Sequence, residues 1–269
     1  MVRPVVLGAK HGQHPAVARF AVEEAARQGV PLRVVHASED VFVSRALFDD
    51  LAQHCIAEPD VVPVDHAVVA GSAIDVLLEE ARHATAVVLG ADDAPWVARA
   101  VGVEISQTVA SRADAPVLVV PRTAIRGRSM SEVVAAVDVD ADLEGQLGYA
   151  FDTAGRRHDG LHVVHVAGMT TDSVSRARRG QRLQDVVDRW RDHHPSTSVR
   201  ITVESGNPVH TCLIASSRAS VLVLGRPTRE HHRLVSPSVV TRVLRRSSAP
   251  VAIVPPANDR HMGVVPARS

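Results

Sequence analysis

Hydrophobic residues along this chain come in short unbroken runs. PVVLGA (residues 4–9), PLRVVHAS (31–38), AVVLGA (86–91) and PVLVVP (116–121) carry few polar residues among their valines and leucines, and VDHAVVAG (64–71) is a more polar run. Continuous apolar runs of this length fit strands covered on both faces, as in a parallel sheet. Between them lie stretches with helical spacing. PAVARFAVEEAARQG ends at Gly29, AIDVLLEEARHA covers residues 73–84, and VGVEISQTVASRAD stops before Pro116. Strand and helix signals alternate, which predicts a doubly wound α/β fold. Ligands in such sheets sit beyond the carboxyl ends of the strands where the winding reverses. The residues after the first, second and fourth strands are therefore the ones to inspect.

The pattern occurs twice. FAVEEAARQGVPLRVVHA from Phe20 corresponds to YAFDTAGRRHDGLHVVHV from Tyr149, without a gap. GSAIDVLLEEARHATAVVLG, Gly71 to Gly90, corresponds to GNPVHTCLIASSRASVLVLG, Gly206 to Gly225. APVLVVP ending at Pro121 corresponds to APVAIVP ending at Pro255. Three blocks in one order at a nearly constant shift indicate a duplicated domain, with a period far too long for a solenoid. The predicted organisation is a first domain over 1–121, a polar, basic linker over 122–131, a second domain over 132–256 and a tail over 257–269. Both fifth strands, PVLVVP and PVAIVP, are short, apolar and bounded by prolines. An apolar edge of this kind invites pairing. Val117–Val120 is thus expected to pair antiparallel with Val251–Val254, making an intramolecular pseudo-dimer.

Composition narrows the function classes. The chain has 269 residues, 45% of them hydrophobic, with 30 basic and 30 acidic side chains and a formal net charge of +0. No global field recruits nucleic acid or an anionic membrane. No apolar run approaches the ~18 residues that span a bilayer, and the N-terminus does not read as a secretory signal. Cys55 and Cys212 make no disulfide framework and fit a reducing cytosol, each as a small buried hydrophobe.

The VVAAVDVD run ending at Asp140, the paired LRVVHA and LHVVHV, the VVLG and VLVLG strands, and the closing SRADAPVLVVP and LRRSSAPVAIVP together resemble the universal stress protein family in tandem form. The resemblance covers nearly the whole chain. It implies two tandem five-stranded parallel sheets, Rossmann-like, each of strand order 3-2-1-4-5, and a cytoplasmic stress-response regulatory module. Many members bind ATP through an aspartate after the first strand. They also carry, after the fourth strand, Gly-x-x-Gly followed about nine residues later by Gly-Ser or Gly-Thr. Glycines there let backbone amides approach phosphates, and the helix start that follows favours negative charge.

Carried onto this chain, the second half keeps part of that pattern. Asp138 stands at the aspartate position and Gly225 at the first glycine. Thr228 replaces the second glycine, Ser238 matches the serine, and Pro237 replaces the glycine before it. Arg226, Arg229 and Arg233 surround the loop, and arginines can supply phosphate contacts that amides no longer make. Asp138 is expected on the adenosine side, and Gly225, Arg226, Thr228 and Ser238 on the phosphates. Val139, Val166, Arg229 and Val239 complete the expected binding set for ATP, with Mg only as the nucleotide's companion. The first half departs further. Lys10 stands at the aspartate position, Asp93 at the second glycine with Asp92 beside it, and Glu104 at the serine after Val103. Three carboxylates crowding a phosphate position oppose binding there.

Other constellations are weaker. The 15 histidines include the adjacent pairs His193–His194 and His231–His232, but no metal-ligand spacing accompanies them. His36 and His165 end the second strand of each half as core or rim residues. Trp96 and Trp190 are too isolated for base stacking. No nucleophile is paired with a base by any motif, so no catalytic or metal-binding residue is assigned. The leading reading is a binding or regulatory module with an adenine nucleotide in its second domain. Protein partners and a homodimer are open. The competing readings are a protein-interaction scaffold with no working nucleotide site, and slow ATP hydrolysis in the second domain.

Overall fold

The computed structural model describes residues 2–10, 13–38, 62–91, 105–121, 131–167, 172–227 and 237–257. The first half contributes strands β1 (Val5–Gly8), β2 (Leu32–Ser38), β3 (Val64–Ala70), β4 (Ala86–Gly90) and β5 (Val117–Val120). Helices α1 (Pro15–Gln28), α2 (Ala73–Ala81) and α3 (Ile105–Arg112) lie between them. The second half contributes β6 (Glu132–Val137), β7 (Gly160–Ala167), β8 (Val199–Ser205), β9 (Val221–Gly225) and β10 (Val251–Val254). Its helices are α4 (Glu144–Arg157), α5 (Ser173–His193), α6 (Pro208–Ser216) and α7 (Pro237–Arg246).

All ten strands form one sheet, ordered β3-β2-β1-β4-β5-β10-β9-β6-β7-β8. Each half has the order 3-2-1-4-5, and every pairing within a half is parallel. The halves join where β5 meets β10 antiparallel, with Val119 opposite Val251, Leu118 opposite Ala252 and Val117 opposite Ile253. The expected pseudo-dimer is therefore present, and its two sheets are one continuous sheet.

The pleat assigns alternate residues of the joining strands to two apolar layers. Leu118, Val120, Ala252 and Val254 belong to the layer under α1, α4 and α5. Val117, Val119, Val251 and Ile253 belong to the layer under α2, α3, α6 and α7. Each layer runs through both halves without a break at the junction. Local signals are duplicated too. Gly71 (φ 138°) and Gly206 (φ 149°) adopt a backbone that favours glycine at the turns out of β3 and β8. The next residues, Ser72 and Asn207, then cap α2 and α6 with their side-chain oxygens.

Side chains add to the junction. Arg157 on α4 reaches Glu24 on α1 at 2.7 Å, with 8% and 2% of the two side chains exposed. The second Glu24 oxygen accepts from Gln28 Nε2 at 2.9 Å, and the Arg157 guanidinium lies 5.4 Å from the centre of the Phe20 ring. On the opposite face Thr241 Oγ1 lies 3.4 Å from Gln107 Oε1, equivalent positions of the two repeats. The outer edges carry charge instead. Arg33 holds Glu80 at 2.9 Å and also Asp65 of β3, and Arg200 of β8 holds Glu132 at 2.9 Å. Charges of this kind block edge-to-edge pairing.

Three expected outcomes follow from this arrangement. Residues 1–126 and 127–269 expressed separately should self-associate through their exposed fifth strands, which light scattering detects; two stable monomers would contradict the junction. Arg157→Ala should cost about 3–5 kcal/mol in denaturant unfolding, because it leaves Glu24 charged and buried alone. Arg157→Met with Glu24→Gln should recover most of that loss. The third outcome concerns pH. Burial lowers the affinity of His162 for its proton, assisted by the Arg200 charge and opposed by Glu132. Burial does the same to His165, opposed by the Val137 carbonyl and by Asp138. The unfolded chain then takes up these protons first, so stability falls as pH drops below about 6.5 and levels off beneath the lowered folded values. Unfolding midpoints between pH 8 and pH 5 test this, and His162→Gln should flatten the slope.

Candidate functional site

The winding of the second half reverses between β6 and β9, and Asp138 is the first residue beyond β6. Its residue is only 5% exposed. The Asp140 amide donates to Asp138 Oδ1 at 3.2 Å and the Ala141 amide to the Asp138 carbonyl at 2.9 Å, so the chain turns tightly around it. Asp142 Oδ1 accepts from the Glu144 amide at 3.0 Å and leads the turn into α4. Asp140 extends outward and pairs with Arg179 at 3.3 Å and Arg182 at 3.4 Å, both on α5.

His165, 1% exposed at the end of β7, lies beside this turn. Its Nδ1 is 3.0 Å from the Val137 carbonyl and 3.4 Å from the Val139 amide. The shorter contact makes Nδ1 the donor, and burial keeps the ring neutral. Its Nε2 is then an acceptor, and it has no hydrogen-bond partner among the described residues. The first half repeats the device: His36 Nδ1 lies 2.9 Å from the Ala9 carbonyl. The following residue there is Lys10, exposed, whose amide donates to Gln13 Oε1 at 3.0 Å. One scaffold thus presents a buried carboxylate in one half and an exposed ammonium in the other.

Sequence reasoning missed Gln146. This α4 side chain, 4% exposed, lies between the two strands of the switch point. Its Nε2 donates to the Ala136 carbonyl of β6 at 2.8 Å and to the Val223 carbonyl of β9 at 3.1 Å. A Cβ on Gly225 would meet its Oε1 at 3.0 Å. The repeat aligns Gln146 with Val17, and a Cβ on Gly90 would meet Val17 at 3.4 Å. The glycine that ends the fourth strand is therefore tightly packed in the second half, where Gln146 crowds it, and in ordinary contact in the first. The available signal was a glutamine where the repeat has valine on the buried face of a helix.

The remaining expected residues divide. Val139 and Val166 are buried beside Asp138 and His165, and Val239 packs into the layer under α7. Arg226 turns toward the first half, where its Nη1 donates to the Ala113 carbonyl at 2.6 Å. Its amide donates to the Val254 carbonyl at 2.7 Å. Ser238 lies in the first turn of α7. Thr228, Arg229 and Arg233, with Asp92, Asp93, Val103 and Glu104 of the first half, lie outside the described residues. Trp190 is part of an aromatic cluster, stacked 6.0 Å from Phe151, with His194 5.1 Å from Phe151. Burial pushes the Cys212 thiol up to about 12, which leaves it unreactive. Among the described residues, no cluster of three or more His, Cys, Asp or Glu side chains forms a metal site. No helix among them is long and apolar enough to cross a membrane.

Comparison with known proteins agrees with this geometry. Residues 130–255 match the universal stress protein family model. A universal stress protein of Mycolicibacterium smegmatis is 24% identical over 273 residues, covering 90% of this chain and 92% of that protein. The crystal structure of a universal stress protein from Archaeoglobus fulgidus superposes with a TM-score of 0.71 at 15% identity, covering 95% of this chain and 97% of that one. A universal stress protein solved in complex with cAMP aligns with 48% of this chain and 100% of its own, at 22% identity and a TM-score of 0.38. Residues 130–255 are thus similar to the universal stress protein family, and the two halves of the chain repeat one topology within a shared sheet.

Proposed function

We propose that the protein is a cytosolic regulatory module of two units, residues 1–121 and 132–256, in which the second unit binds an adenine nucleotide and the first supports it. The observation that carries this reading is Asp138. A carboxylate 5% exposed at a switch point, beside a neutral histidine whose Nε2 has no hydrogen-bond partner among the described residues, is a polar recognition site in which the histidine nitrogen is left to be met. Incomplete satisfaction of buried polar groups is costly unless something else meets it. Lys10 and Val17 replace Asp138 and Gln146 in the first unit, which makes that crevice unlike the second. Two contacts favour the scaffold reading instead. Gly225 is explained by Gln146, and Arg226 is engaged with Ala113, so both serve packing without a ligand.

Calorimetric titration of the full chain with ATP, ADP and AMP decides between them. The nucleotide reading expects saturable binding that Asp138→Ala weakens about tenfold to a hundredfold, the loss of one hydrogen bond to a charged group. It expects Lys10→Ala to change nothing. Absence of binding at millimolar nucleotide would establish the scaffold reading. Phosphate release lost in Ser238→Ala would add hydrolysis to the second unit.

A further inference from the structure

Helix α5 opens with SVSRARRGQRLQ, residues 173–184, which carries four arginines and no acidic residue. Asp172 before it is occupied as the cap, accepting from the Ser175 amide at 2.9 Å and the Ser175 hydroxyl at 2.7 Å. Asp185 after it accepts from Gln181 at 2.8 Å. Arg176 and Arg178 form no ion pair among the described residues, and Arg179 and Arg182 share the single carboxylate of Asp140. This concentration of positive charge faces the turn that holds Asp138, and Arg179 lies near enough to His165 to act on it electrostatically.

Among the described residues, Arg226 and Pro227 offer no free backbone donor on the other side of the crevice. The Arg226 amide already donates to Val254, and Pro227 has no N–H. A phosphate entering here needs cationic side chains. Both contacts of Asp140 are long, 3.3 and 3.4 Å, and Asp140 and Arg182 remain 45% and 64% exposed, so these pairs are individually weak. A phosphate group offers three acceptor oxygens and up to two charges to the same guanidinium groups, a stronger match than one carboxylate.

We propose that Arg179 and Arg182 form an anion-binding rim on this crevice, and that Asp140 is the internal counter-ion which a nucleotide phosphate displaces. The proposal rests on the nucleotide reading above for its ligand, and assigns phosphate contacts to α5. Asp140 then sets affinity by competing for the same arginines.

Titration of the full chain with adenosine, AMP, ATP and inorganic tripolyphosphate tests this, comparing the unaltered protein with Arg179→Gln/Arg182→Gln, Asp140→Asn and Arg176→Gln/Arg178→Gln. The first pair should weaken AMP, ATP and tripolyphosphate about tenfold or more while leaving adenosine unchanged. Asp140→Asn should tighten the three phosphate ligands and leave adenosine unchanged. Arg176→Gln/Arg178→Gln removes as much charge from the same helix and should have a much smaller effect. Nucleotide binding unaffected by Arg179→Gln/Arg182→Gln would overturn the rim and leave the nucleotide reading standing. Arginine-dependent binding of tripolyphosphate, without binding of adenosine or preference for AMP or ATP, would support the rim and overturn the nucleotide reading. No binding of any of the four would overturn both.

Discussion

The structure depends on pairing two short strands. β5 and β10 are four residues each, and alone each would end a parallel sheet with a row of unpaired amides and carbonyls beside apolar side chains. Such an edge is both a lost set of hydrogen bonds and a template for aggregation. Antiparallel pairing satisfies it within one chain and continues both apolar layers across the junction. The helices nearest the junction are then brought together, so α1 meets α4 through Glu24 and Arg157, and α3 meets α7 through Gln107 and Thr241. Neither contact would form with the strands apart.

Much of this was legible because the chain states its pattern twice. Valine-rich runs identify strands in any one copy, but the matched blocks around Phe20 and Tyr149 also indicate that two similar sheets must be accommodated. The apolar, proline-bounded fifth strands then point to the partner. The site was harder to read. Asp138 follows a recognisable strand, so its position could be assigned. Gln146 does not follow a strand end. Its role comes from the height of α4 above the sheet and from two carbonyls, Ala136 and Val223, separated widely in sequence. The contact of Arg226 was illegible for a related reason: it sits in a basic loop, and its guanidinium meets the Ala113 carbonyl just past α3 in the other half. The contribution of α5 arose from Asp140 reaching across, and no motif marks that contact.

The repeats also show which positions tolerate divergence. The strand residues at the junction, Val117–Val120 and Val251–Val254, are apolar and buried in both halves. Histidine stands at both His36 and His165, each beside a carbonyl at the end of its neighbouring strand, Ala9 just past β1 and Val137 closing β6. At the position after the first strand a buried aspartate, Asp138, in one half answers to an exposed lysine, Lys10, in the other. At the buried switch point the exchange is between Gln146 and Val17, and the glutamine stays because two carbonyls receive its amide protons.

The single antiparallel step at the centre of the sheet has a directional consequence. All strands of the first half point one way and all strands of the second half point the other. The carboxyl ends of the two halves, and with them Lys10 and Asp138, therefore lie at opposite borders of the molecule. The protein has two poles of unlike chemistry with one continuous sheet between them. A macromolecule docking at one pole meets the exposed Lys10, and one docking at the other meets the turn of Asp138 with the Asp140–Arg179–Arg182 cluster beside it. A single chain can in this way distinguish its two ends without any symmetry-related copy.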